Sequence, residues 1–289
     1  MKIIKTIAEI KAEMKKHRFR GRSIGFVPTM GYLHNGHLSL VEQCRKENDI
    51  NVVSIFVNPT QFAPGEDFEA YPRDFKMDEK ALREMGTDIL FLPEGEGIYP
   101  HGYLTYVEVD KLGKVLCGKT RSTHFRGVTT VVLKLFNIVN PDNAYFGRKD
   151  AQQAVIIKKM VQDLDIDVTI RALPIIRDAD GLALSSRNTY LSRDEREAAL
   201  TLSLGLRKAE QRVAGGLRNA AGIKEVIQKE LETSELIKID YIEVVSLTTL
   251  EPFDAVSKEA EIDMNHTLIA AAIWVGKTRL IDNFILGEI

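Results

Sequence analysis

Short apolar runs alternate with amphipathic stretches through the first part of the chain. Runs at 23–28 (Ser-Ile-Gly-Phe-Val-Pro), 51–57 (Asn-Val-Val-Ser-Ile-Phe-Val), 88–92 (Asp-Ile-Leu-Phe-Leu), 144–147 and 168–173 read as strands. They are apolar at nearly every position, the pattern of strands covered on both faces. Between them, helical spacing of apolar residues predicts helices at 5–16, 36–48, 73–86, 126–139 and 150–163. Strand–helix alternation of this kind predicts an α/β fold: a Rossmann-like parallel sheet with helices on both faces. Such sheets bind ligands at the carboxyl ends of their strands. Three of those ends carry Thr29-Met30-Gly31, Asn58-Pro59-Thr60-Gln61 and Gly147-Arg148-Lys149-Asp150, all polar or glycine-bearing and suited to one cleft.

The pattern changes after Pro174. Residues 177–193 are polar and turn-rich, and Ser192 followed by Glu195 is a capping box opening a helix at 193–214. Gly215-Gly216 ends it, a second helix covers 219–233, and β-type runs follow at 239–246, 267–275 and 279–285. We expect a domain at 1–176 and a smaller C-terminal α+β domain at 177–289.

Composition narrows the function classes. The 289 residues carry a formal net charge of −2, so no global basic field attracts nucleic acid. No apolar run approaches the roughly 20 residues of a membrane helix. Met1-Lys2-Ile3-Ile4-Lys5 has no signal-peptide character, and the two cysteines, Cys44 and Cys117, lie in no metal or redox spacing. A cytoplasmic protein with reduced thiols is expected, which leaves the sequon Asn265-His266-Thr267 without meaning.

The chemistry centres on Pro28-Thr-Met-Gly-Tyr-Leu-His-Asn-Gly-His37. A buried strand ends, a glycine turn follows, and His34 and His37 share one face of a starting helix. Free N–H groups of that turn are expected to favour an anion. Zinc is the rival reading, but helical zinc pairs are spaced i, i+4 around a glutamate and need a third ligand. Incidental surface histidines are the bland alternative. Lys149, at a strand end, can meet a phosphate as a point charge, or be one more surface lysine. Ser185-Ser186-Arg187 offers hydroxyls and a guanidinium for a phosphate clamp, although a Ser-Ser turn alone is weak. Asn58, Gln61 and Gln153 are neutral amides that suit a small hydroxy acid, or merely cap loops. The Walker-like Ala271 to Thr278 stretch lacks a glycine-rich strand-to-helix turn and reads as a hairpin around Gly276-Lys277-Thr278.

Taken together, these segments resemble the pantothenate synthetase (pantoate–β-alanine ligase) family of the HIGH-type nucleotidyltransferase superfamily, which includes class I aminoacyl-tRNA synthetases. Phe56-Val-Asn-Pro-Thr-Gln-Phe62, Glu66-Asp67 with Tyr71-Pro72-Arg73, His124-Phe-Arg-Gly-Val128, Phe146-Gly-Arg-Lys-Asp150 with Gln152-Gln153, and Asp180-Gly-Leu-Ala-Leu-Ser-Ser-Arg-Asn188 follow in family order. The resemblance implies ATP-dependent condensation of (R)-pantoate with β-alanine through a pantoyl adenylate, releasing AMP and pyrophosphate, with Mg²⁺, in a homodimer. It implies that Met30, Gly31, Tyr32, Leu33, His34, Asn35, Gly36 and His37 line the ATP site, with His37 as proton donor and with His34 and Lys149 the other catalytic candidates. Gly147, Arg148, Lys149, Asp150, Ile176, Leu184, Ser185, Ser186 and Arg187 match further ATP contacts. Gln61 and Gln153 match pantoate contacts, Gln61 also a β-alanine contact, and the smaller domain is expected to close over ATP. Two departures stand out: Arg148 replaces Glu or Gln, and Ser122-Thr123 replace Pro-Gly. The alternative within enzymes is an adenylyltransferase acting on a phosphorylated small-molecule acceptor.

Overall fold

The computed structural model describes residues 1–253 and 260–289. They form two compact units: Met1–Lys114 with Gly118–Arg148 and Ile156–Pro174, and Val115–Cys117 with Lys149–Val155 and Ile175–Ile289. The first unit opens with β1 (Lys2–Ile4), α1 (Ile7–Phe19), β2 (Ile24–Thr29), α2 (Asn35–Glu47), β3 (Ile50–Ile55), α3 (Phe75–Glu84), β4 (Ile89–Phe91) and a short α4 (Gly95–Ile98). α5 (Cys117–Thr120), α6 (His124–Val139), β5 (Asn143–Gly147), α7 (Ala151–Asp163) and β6 (Thr169–Leu173) follow, α5 and α7 beginning in residues of the second unit. All six strands run parallel, in the order β1-β4-β3-β2-β5-β6. β1 escapes a reading of the sequence because three residues, Lys2-Ile3-Ile4, are too few to carry a period.

The continuous apolar runs have a simple cause. Successive side chains of a strand point to opposite faces, and here each face has its own core. Phe26, Val52 and Phe91 pack with Met14 of α1 and Phe136 of α6. Val27, Val53 and Leu90 pack with Val41 of α2 and Leu82 of α3. Local signals set the helix starts: Thr6 Oγ1 accepts from Glu9 N, and Asp74 Oδ1 accepts from Met77 N.

β2 is the middle of the sheet and the place where the chain reverses its direction of travel. The strands from β2 to β4 add on one side, and the return to β5 adds on the other, which makes β2/β5 the switch point where such sheets bind ligands. The two strands pair only at Gly25↔Asn143 and Phe26↔Ala144, although β2 continues to Thr29 and β5 to Gly147. Pro28 accounts for this. Ile24 O accepts from Asp142 N on the β5 side, and Thr29 O accepts from Phe56 N on the β3 side. Even-numbered residues of β2 therefore face β5, and Pro28 has no N–H to give. The ladder ends where its donor is missing, and the carboxyl ends of β2 and β5 part.

In the second unit β7 (Ile237–Ser246), β8 (His266–Val275) and β9 (Thr278–Gly287) form an antiparallel sheet in sequence order. α8 (Arg193–Ala214) and α9 (Ala220–Leu231) cover it through Leu202, Leu206, Ile223 and Ile227 against Ile269, Ala271 and Ile273. The capping box is formed: Glu195 N donates to Ser192 Oγ, and Ser192 N to Glu195 Oε2. Val275 pairs with Thr278, so the Walker-like stretch is a tight hairpin turning at Gly276 (φ +57°) and Lys277.

Gly127 of α6 is held against the turn Pro59–Gln61 that follows β3. A Cβ there would lie 2.4 Å from Thr60 O and 2.6 Å from Gln61 N, both backbone atoms. We expect Gly127→Ala to destabilise the chain by about 1–3 kcal/mol, the usual cost of overpacking, and to displace Gln61. Thermal unfolding measures this, and an unchanged Tm refutes it.

Candidate active site

The loop from β2 to α2 is a run of satisfied donors. Gly31 N donates to Thr29 Oγ1 at 3.3 Å, and Thr29 Oγ1 donates to Ser54 O at 2.8 Å. Tyr32 N and Leu33 N donate to Asp78 Oδ2 and Oδ1 at 2.8 and 2.7 Å. His34 is the N-cap of α2; its Nδ1 accepts from Gly36 N at 3.1 Å, while His34 N donates to His37 Nδ1 at 3.3 Å. The expectation of free N–H groups waiting for an anion is therefore corrected. The N–H groups of Gly31, Tyr32, Leu33, His34 and Gly36 are already taken, two of them by a carboxylate of the chain itself.

The histidines gain a defined state from this arrangement. A ring nitrogen that accepts an N–H bears no proton, so the proton of each neutral imidazole sits on Nε2. The rings stack at 4.0 Å between centroids, tilted by 36°. An Nε2–H group of a neutral imidazole is a donor of the kind that serves phosphoryl oxygens or a leaving group. Among the described residues no group of three or more His, Cys, Asp or Glu could hold a metal, so the zinc reading finds no third ligand.

Asp78 was missed in the sequence, although one signal was present. It precedes the core residue Leu82 by four positions, so an acid sits on the apolar stripe of α3. It is 2 % exposed. Burial pushes its carboxyl up from the ordinary 3.8, and the N–H groups of Leu33 and Tyr32 pull it back.

The amides beyond β3 divide into scaffold and head. Asn58 is 1 % exposed. Its Nδ2 donates to Gly127 O and Gln61 Oε1, and its Oδ1 accepts from Thr60 N, Thr60 Oγ1 and Tyr99 OH. The sequence pattern places Asn58 against substrate, whereas the structure sets its amide against these protein groups. Gln61 Nε2 approaches Met30 Sδ at 3.0 Å. The Gln61 backbone is gripped as well: its O accepts from Arg121 Nη2 and lies 2.9 Å from His124 Nδ1, which must be the donor to a carbonyl. Arg121 binds Glu66 through two parallel bonds of 2.8 and 2.7 Å. Burial opposes the charge of Glu66, yet the Arg121 bonds outweigh it and hold the carboxyl below its ordinary 4.5.

At the end of β5, Gly147 leads into a 3₁₀ turn, Arg148–Asp150. Arg148 Nε donates to Ala172 O on β6.

In the second unit, Lys149 O accepts from Asn283 Nδ2, and Lys149 Nζ lies 3.9 Å from Asp150 Oδ1. Of the neighbouring glutamines, Gln152 is structural: its Oε1 accepts from Cys117 N and its Nε2 donates to Val115 O. Gln153 is half-buried. Ile176 and Leu184 meet across a hairpin, Leu184 N donating to Ile176 O, with the turn at Gly181. Arg177 anchors that hairpin through two bonds to buried Asp282, of 2.6 and 3.0 Å. Ser185 Oγ accepts from Arg187 N at the start of a 3₁₀ turn that buries Ser186.

The chain is similar to known proteins along its whole length. The family model for pantoate-beta-alanine ligase matches residues 2–285. A pantothenate synthetase of Thermotoga petrophila is 53 % identical over 287 residues, 99 % of this chain and 100 % of that protein. The crystal structure of pantothenate synthetase from Thermus thermophilus superposes with a TM-score of 0.92 at 40 % identity, each chain fully covered. The pantoate-beta-alanine ligase of Francisella tularensis, complexed with beta-gamma ATP and beta-alanine, gives a TM-score of 0.80 at 36 % identity, over 99 % of this chain and 97 % of that one.

The Glu66–Arg121 pair has a pH signature. A carboxyl whose folded value is depressed adds stability that is fully present above its unfolded value of 4.5 and is lost as pH falls through the folded value. Glu66→Gln should therefore flatten the loss of stability below about pH 5, measured by denaturant titration at several pH values. A variant as acid-sensitive as the parent chain refutes this.

Proposed function

The chain belongs to the pantoate–β-alanine ligase family, and on that premise we propose that it joins (R)-pantoate to β-alanine at the cost of ATP in two steps. A pantoate carboxylate oxygen attacks the α-phosphorus, and the bond from that phosphorus to the bridging oxygen of pyrophosphate breaks. The β-alanine amine then attacks the acyl carbon of the pantoyl adenylate, loses a proton, and AMP leaves. Transfers of this kind need alignment and charge stabilisation more than covalent help from the protein.

The observation that carries the proposal is the histidine pair with both Nδ1 atoms accepting backbone N–H groups. It supports His37 as the proton donor to the departing pyrophosphate, with His34 beside it. In the first unit we assign ATP contacts to the stretch from Met30 to His37 and to Gly147 and Arg148. In the second we assign them to Lys149, Asp150, Ile176, Leu184, Ser185, Ser186 and Arg187. Lys149 and Arg187 supply positive charge. Gln61 and Gln153 are assigned to pantoate, Gln61 also to β-alanine, and Asn58 to holding the Gln61 head. We propose Mg²⁺ as a partner of the nucleotide, where it would offset phosphate charge. We also propose a cytoplasmic homodimer; no helix among the described residues is long and apolar enough to cross a membrane.

Incubation with ATP, pantoate and β-alanine should yield AMP and pyrophosphate, and ATP with pantoate alone should release pyrophosphate in a single turnover. ADP and phosphate as products would exclude an adenylate. Transfer to a phosphorylated acceptor would release pyrophosphate without need of an amine.

His37→Ala should slow adenylate formation by about 10² or more with the fold retained by circular dichroism. Lys149→Ala should raise the ATP requirement or lower the adenylation rate, and unchanged kinetics would remove it from the site.

A further inference from the structure

We propose that Asp78 is the positioning residue of the histidine turn, an internal anion that fixes the β2–α2 loop and, through it, the tautomers of His34 and His37. Gly31 (φ +84°) and Tyr32 (φ +52°) are consecutive left-handed residues. A turn can gather successive N–H groups into a concavity that takes an anion. In nucleotide-binding loops a phosphate commonly fills such a concavity. Here the carboxylate of Asp78, delivered from α3, fills it with one oxygen on Tyr32 N and the other on Leu33 N, at 2.8 and 2.7 Å. Each oxygen accepting one N–H is the pattern of the ionised form.

Three further observations mark this as a built contact. The side chain is 2 % exposed, and an acid is buried this deeply only with partners for its charge. A Cβ on residue 31 would lie 3.0 Å from Asp78 Oδ2, so glycine at that position leaves the carboxylate its room. Tyr32, a bulky residue in a conformation that L side chains avoid, is held there by the bond to Asp78. The bond at Leu33 N is followed at once by His34 N on His37 Nδ1, and then by Gly36 N on His34 Nδ1. Asp78 touches neither histidine in this chain of bonds. It fixes the peptide groups immediately before the two that fix the imidazoles, and so acts on the chemistry at one remove.

The inference rests on the assignment of this turn to ATP activation, and the experiment separates the two. Asp78→Asn keeps the size and offers one acceptor, but turns an NH₂ group towards the second N–H. In the full-length chain we expect pyrophosphate release in a single turnover to slow by about 10²-fold, the cost of a misplaced catalytic group. The KM for ATP should change by no more than about twofold, because loss of a transition-state contact lowers kcat without weakening ground-state binding. The ¹⁵N spectrum of the imidazoles should show Nε2–H tautomers for His34 and His37 in the parent and a mixture in the variant. A residue that serves stability alone would lower Tm and leave the rate per folded molecule and the imidazole spectrum unchanged, and that result overturns the proposal.

A second measurement needs no variant. In the parent chain the Tyr32 and Leu33 amides should be among the slowly exchanging protons, and rapid exchange of both overturns the proposal even if Asp78→Asn does not fold. A parent chain that makes no adenylate would refute the reading of the turn, while the exchange and tautomer data would still decide the clamp.

Discussion

A central strand has to be paired along both edges to be buried, yet a ligand needs an opening at its carboxyl end. β2 meets both demands with one proline. Its N-terminal half is laddered to β3 and to β5, and both of its faces are packed in cores. Pro28 removes one donor from the β5 side, and the pairing stops there. The register with β3 continues through Pro28↔Ser54 to Thr29↔Ile55, since the β3 side loses nothing. The opening thus requires no bulge and no unpaired strand. It follows from a residue that lacks an N–H at the one place where the fold gains from its absence.

Gln61, at that opening, is held by a network of hydrogen bonds to its neighbours. Asn58 is saturated by Gly127, Gln61, Thr60 and Tyr99. Arg121 and His124 grip the Gln61 carbonyl, and Glu66 grips Arg121. Gly127 lets α6 come close enough for these bonds to form. A buried polar network is stiff when every member is satisfied and costly when one is missing. The same logic separates Gln152 from Gln153: one amide ties Val115 and Cys117 to α7, while its neighbour has no such duty.

The strands and the capped helices were legible because their causes are local. Ser192 and Glu195 announced α8 by themselves, and five apolar runs announced five of the six parallel strands. The hairpin at Gly276 could be told from a phosphate loop because the chain beyond it is β-type rather than helical. The motif around His34 and His37 was legible as chemistry, but its working parts were not. That His34 Nδ1 caps α2, that His37 Nδ1 accepts from His34, and that an acid 45 residues beyond Leu33 closes the loop are consequences of tertiary approach. The hydrogen bonds of the amides were hidden for the same reason: Asn58 and Gln61 look alike in sequence, and their partners Gly127, Tyr99, Arg121 and His124 come from distant segments.

Occupation of the turn by Asp78 changes what the turn can do. A loop with free N–H groups binds phosphate through backbone dipoles and takes its shape from the ligand. A loop closed on its own carboxylate has its shape before any ligand arrives, which is the condition for effective electrostatic catalysis. The exchange has a cost, because an acid now stands behind the site and opposes an incoming polyphosphate. Side chains then add to what little attraction the remaining backbone donors supply. The imidazoles of His34 and His37, each with Nδ1 already accepting a backbone N–H, are side chains of that kind.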